Sequence, residues 1–188
     1  MKFKYLSALI LILGVSQSPF ADESDKLTDN DELAQIFAMD QADRNPGTDG
    51  IDWDVVSERD EERRIRALEI LRRGEVRTSE DFRHAAYIFQ HGKTIEDFRL
   101  ALSLAWLAAT INPDDENARW LTAAAWDRLL MNQDQPQWYG TQYRRKDGGS
   151  EWQLYDIQEG AVTDEQRQEL NVPTLSESNE RLKKLNEN

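Results

Sequence analysis

Three closely spaced helix-opening signals decide most of what this chain can fold into. "TSED" (78–81) and "TIED" (94–97) each place a threonine three residues ahead of an aspartate. That is the reciprocal side-chain arrangement that satisfies free amides at a helix start. "NP" at 112–113 adds a capping asparagine and a proline suited to a first turn. Together they predict helices over 79–90, 95–110 and 114–131. Connections this short make consecutive helices antiparallel neighbours.

The same logic extends in both directions. Leu33, Ile36, Phe37 and Asp40 fall at i, i+3, i+4 and i+7, a helical stripe that begins near Thr28 and is broken by "NPGTDG" (45–50). A second helix is expected over 54–73, with Gly74 where a left-handed cap belongs. Beyond Met131 the texture changes. "NQDQPQWYGTQ" carries no stripe, and "YRRKDGGSEWQLYDI" reads as two short strands about Asp147-Gly148-Gly149. "TDEQ" (163–166) caps a short helix that Val172-Pro173 interrupts, and 176–188 forms a polar terminal helix or tail. The expectation is a mainly α, antiparallel helical bundle forming a single domain over 28–175, with a small C-terminal β-hairpin at 141–157. Ala101, Ala108 and Pro113 match the spacing found in tetratricopeptide-like helix pairs, although one unit makes no array.

"MKFKYLSALILILGVSQSPFA" has two lysines, an apolar run from Leu6 to Val15 and a small residue at Ala21. This is the layout of a secretory signal peptide over 1–21, followed by a polar leader at 22–27. The run is too short for a membrane span. An exported chain, periplasmic or secreted, is therefore expected. With no cysteine it has neither a lipid anchor site nor a disulfide, so a packed core must hold it. Six tryptophans help, since each buries a large apolar area.

Losing Lys2 and Lys4 with the leader lowers the 23 basic side chains to 21, against 36 acidic ones, a formal charge of −15. A field of that sign argues against nucleic acid and anionic membrane surfaces, which are bound through lysine and arginine. It suits a basic protein partner or a cationic ligand, and solubility alone also accounts for it.

Charged groups on apolar stripes mark the candidate site. "WLTAAAWDRLLM" (120–131) is apolar on adjacent faces yet carries Asp127 and Arg128. Their side chains point about 100° apart, so each needs its own partner, because a buried unpaired charge costs several kcal/mol. Asp40, Asp60, Arg63, Asp81, His84 and His91 interrupt other stripes in the same way. They could form ion pairs that only fix helix register, or line a polar pocket between helices. His91 sits at a helix end before Gly92, which frees the backbone there. It could cap the last carbonyls, or act as a general base.

No metal or cofactor site is expected. His84 and His91 are seven residues apart, about 10 Å along a helix, too far to share one zinc. The acidic loop at 43–54 has Thr48 where a calcium-binding loop needs glycine. Nucleophile motifs and phosphate-cradling glycine loops are also missing, so a hydrolase here would use an activated water.

The segments "DQADR" (40–44), "AAYIFQHG" (85–92), "ARWLTAAAWDRLLM" (118–131) and "PQWYGTQ" (136–142) resemble a bacterial family of unknown function. Its pattern runs Asp-Arg, Gln-His-Gly, Asp-Arg-x-Leu-Met and Pro-Gln-x-Tyr-Gly-Thr-Gln. A later segment is matched by Thr163, Asp164, Glu165, Arg167, Leu170 and Pro173. The resemblance covers most of 30–175. It implies an α-helical, often exported domain and brings no activity, substrate or cofactor. It suggests grouping Asp43, Arg44, Gln90, His91, Asp127, Arg128, Gln137, Tyr139, Thr141 and Gln142 as one site.

Three functions remain open at this point. The first is a small-molecule or peptide-like ligand bound between helices under the 136–142 loop. There Arg44 and Arg128 would meet an anionic or amide group, with Gln90, Gln137 and Gln142 as neutral partners. The second is a hydrolase in the same pocket, with His91 and Asp127 catalytic and Tyr139 or Thr141 orienting the substrate. The third is an acidic interaction module, such as an inhibitor or immunity factor.

Overall fold

The computed structural model describes residues 27–45, 47, 50–145 and 149–187. The expected signal peptide, most of the leader and the tip of the hairpin turn lie outside them. The described residues form seven helices and one two-stranded antiparallel hairpin, a helical bundle with a β appendage as the sequence predicts. Helix α1 spans Asp31–Asp43, α2 Trp53–Arg72, α3 Ser79–Gln90, α4 Ile95–Ile111 and α5 Glu116–Met131. Strands β1 (Tyr143–Arg145) and β2 (Trp152–Leu154) follow, then α6 (Asp164–Glu169) and α7 (Leu175–Glu187). None of the described helices is long and apolar enough to cross a membrane.

Local chemistry explains the boundaries. Both threonine signals form full capping boxes, Thr78 with Asp81 and Thr94 with Asp97. Gly74 takes φ +70°, and the amides of Gly74 and Glu75 turn back to the carbonyls of Leu71 and Ile70. That is the Schellman closure expected after α2. The Asn112-Pro113 signal is corrected. Asn112 ends α4, and Asp115 caps α5 by accepting from the Asn117 and Ala118 amides at 2.9 and 3.1 Å. A carboxylate serves two amides at a positive helix end better than a neutral amide side chain does.

The core lies where α1 to α5 meet. Leu33 and Ile36 from α1, Ala67 and Ile70 from α2, and Ala85, Ile88 and Phe89 from α3 pack against Ala101, Leu104 and Ala105 of α4 and Leu121 and Ala125 of α5. Alanines at the α3–α4–α5 contacts let these backbones approach closely, and each buried Leu, Ile or Phe contributes about 1.5–3 kcal/mol. Asp81 is fully buried for an architectural reason. It accepts from the Asn30 amide at 2.7 Å and from the Arg77 and Thr78 amides, tying the start of α1 to the start of α3. The terminal segment is helical and docks on the hairpin, where the Asn186 side chain bonds both backbone groups of Trp152.

Candidate functional site

An alternating ladder of charge crosses three elements. Asp43 at the end of α1 meets Arg59 at 2.8 Å and also Arg63. Arg63 reaches Asp60 at 3.0 Å, and Asp60 in turn holds Arg44 at 2.5 Å. Arg44 bonds Asp40 at 2.9 Å, and Asp40 meets Nδ1 of His91 at 3.0 Å. The residues sit within one or two turns of where α1 ends, α2 runs alongside and α3 stops. Asp40 is 1 % exposed. Burial pushes its carboxyl up, but His91, Arg44 and Gln41 outweigh that and hold it below the ordinary range. When the ring is neutral, Nδ1 donating to Asp40 selects the tautomer that carries its lone pair on Nε2. Nε2 has no partner among the described residues.

The backbone under His91 is clamped as well. Its carbonyl accepts from Arg64 at 3.1 Å. Gly92 does not take a left-handed conformation. A Cβ there would run into the Asp97 side chain, whose carboxylate accepts the Lys93 and Thr94 amides at 3.0 Å each. Glycine is therefore needed for space, not for backbone freedom as the sequence suggests.

Asp127 belongs elsewhere. It is fully buried, and Oδ1 accepts from the Trp138 and Tyr139 amides at 2.9 and 3.0 Å. Oδ2 accepts the Thr141 amide at 3.0 Å and its hydroxyl at 2.8 Å. Four donors fill the acceptor sites of one carboxylate. Asp127 thus anchors the 136–142 loop and does not pair with His91, whose carboxylate is Asp40. Gly140, at φ +86°, makes the turn that aims these amides inward. On the loop's other side the Trp138 and Tyr139 carbonyls accept from Arg167 at 3.0 and 3.1 Å.

The glutamines are tethers too. Gln137 is buried and bonds both backbone groups of Gln142 and the Tyr155 carbonyl. Gln90 donates to the Ala124 carbonyl at 3.1 Å. Gln142 donates to the same carbonyl and accepts from Nε of Arg128 at 2.8 Å.

Arg128 is different. Its Nη groups meet no carboxylate among the described residues, whereas Arg44, Arg63, Arg64, Arg83 and Arg167 each do. Burial first, and the neighbouring Arg44 charge second, depress its proton affinity. Arg128 lines a cavity of approximately 550 Å³ together with Arg44, Asp60, His91, Gly92 and Lys93. Ile51, Trp53, Val56 and Ser57 complete the wall. Of the ten residues grouped from the sequence, Arg44, His91 and Arg128 share this cavity. Asp43 lines a separate groove between α1 and α2. Gln90, Gln137, Tyr139, Thr141 and Gln142 do not border the cavity, so it is not under the loop; the loop reaches it only through the Gln142–Arg128 bond. Missed from the sequence grouping were Lys93, Trp53, Ser57 and Asp60 as cavity wall, and Asp40 as the partner of His91. Trp53, Val56, Ser57 and Asp60 fall at i, i+3, i+4 and i+7, a stripe that could have revealed the α2 wall.

Comparison with family models, with curated proteins and with solved structures returns no match to this chain.

Proposed function

We propose that the chain is an exported domain that binds an anionic small molecule or peptide-like ligand in the cavity bordered by Arg128, Arg44 and Lys93. The observation that carries the reading is the lone Arg128 guanidinium. In a chain with 36 acidic side chains, the half-buried Arg128 guanidinium has no carboxylate partner among the described residues and faces a hollow. A half-buried guanidinium with no counter-ion is poorly compensated, and a bound anion would offset that. Gln142 fixes Nε and leaves the two Nη groups for a ligand. Membership of the family that the four motifs resemble, and export on the N-terminal leader, belong to the same proposal and add no activity to it.

The test is thermal unfolding of the full chain with acetate, citrate or phosphate. The expected result is a rise in Tm with at least one of them that Arg128→Gln removes. Equal shifts in both proteins would reflect salt effects on the whole surface and overturn the reading.

The Asp40–His91 pair supports a second reading, hydrolysis in the same cavity. A buried carboxylate orienting an imidazole whose other nitrogen is open is the arrangement of a general base. His91→Ala should then abolish turnover of an identified ester or amide substrate without unfolding the chain. Retained turnover would remove this reading.

A further inference from the structure

The cavity wall is graded. Along α2, Trp53 and Val56 give way to Ser57 and then to Asp60, which holds Arg44. Seven residues of helix separate the ends, about 10 Å along the axis. The Trp53 end is apolar, with Ile51 beside it, and Trp53 is 61 % exposed even though it borders a hollow. An indole left so open beside a hollow is an unused contact surface.

Charge decides the other end. Arg44 is already committed to Asp40 and Asp60. That leaves Arg128 and Lys93, and Lys93 is exposed, so water and salt screen it. Asp60 in the wall opposes a second negative charge. One desolvated guanidinium with two free Nη groups matches the planar fork of a carboxylate.

Resting on the anion-binding reading, we infer that the ligand is a monocarboxylate with an apolar or aromatic body, its carboxylate on Arg128 and its body against Trp53.

Calorimetric titration of the full chain with acetate, 3-phenylpropanoate, 3-phenylpropanamide and inorganic phosphate tests this. 3-Phenylpropanoate should bind at least roughly tenfold more tightly than acetate, as expected for burying an aromatic ring. It should also outbind the neutral amide and phosphate. Trp53→Ala, at an exposed position where folding is not at stake, should bring 3-phenylpropanoate down to the acetate value. Arg128→Gln should erase the preference for the acid over the amide. Equal affinity for acetate and 3-phenylpropanoate would overturn the apolar body while leaving an anion site. Tightest binding to phosphate would overturn the carboxylate. Failure of every anion to bind would overturn the inference and the reading beneath it.

Discussion

Oδ1 of Asp40 and Nδ1 of His91 lie 3.0 Å apart although 51 positions separate the residues in the chain. The contact joins the end of α1 to the end of α3, and it makes Asp40 the meeting point of an imidazole, a guanidinium and an amide.

Asp40 should make the fold acid-sensitive. Its folded-state affinity for a proton is lowered, so the stability it contributes is fully present above its ordinary value of 3.8 and is lost as pH falls through the lower folded value. Asp43, held down first by its hydrogen bond from Arg63, acts in the same direction. Urea midpoints measured from pH 7 to pH 3 should fall at the acid end, and more steeply than in Asp40→Asn. Parallel curves for the two proteins would refute this. At neutral pH, Asp40→Ala should cost about 3 kcal/mol by stranding its partners.

Arg128 and Arg44 should respond oppositely to the same change. Arg128→Met removes a poorly compensated, half-buried charge, so its Tm without ligand should hold or rise. Arg44→Met takes a guanidinium from two buried carboxylates, leaving Asp60 only Arg63 and Asp40 only His91 and Gln41, and should lose about 3 kcal/mol. A loss from Arg128→Met as large as that from Arg44→Met would mean Arg128 is structural.

Removing the acceptor for the 136–142 loop should loosen that loop first. Asp127→Asn turns an amide donor toward groups that also donate, at a cost of about 3 kcal/mol. Hydrogen exchange at the Trp138, Tyr139 and Thr141 amides should accelerate more than exchange in the α3 core. Uniform acceleration would contradict an anchoring role.

Two glycine substitutions should fail for different reasons. Gly140→Ala forces a side chain into φ +86° and brings its Cβ to 3.2 Å from Leu175 Cδ2, costing about 1–2 kcal/mol. Gly92→Ala meets the Asp97 side chain and should weaken the start of α4 by about 1–3 kcal/mol. In an Asp97→Gly background, which itself lacks the α4 cap, Gly92→Ala should cost much less than in the native chain, while Gly140→Ala should cost the same in both. An undiminished Gly92→Ala cost in that background would disprove the clash.

The helices were legible because their caps are local chemistry: Thr78, Thr94 and Thr163 each act within three residues of sequence. Asn112 misled because asparagine before proline is equally a turn signal, and Asp115 won the cap with its charge. His91 and Arg128 were legible as polar groups on apolar stripes, and Arg44 only through the motif it shares with the family the chain resembles. Their partners were not, since periodicity along one helix says nothing about which residue faces it from another. Asp127 shows the limit most clearly. A buried carboxylate that holds a cation and one that holds loop amides leave the same trace in the chain, and only the folded loop distinguishes them.

The 136–142 loop is gripped from opposite sides, its amides by Asp127 and two carbonyls by Arg167. During synthesis the first hand is made long before the second, so α1 to α5 can assemble while that loop still lacks its outer clasp. Gln142 is already held by Gln137 and the Ala124 carbonyl, so the aim of Arg128 does not wait for residue 167. A chain cut short before α6 would keep its bundle and that aim, and lose only the outer clasp on the loop.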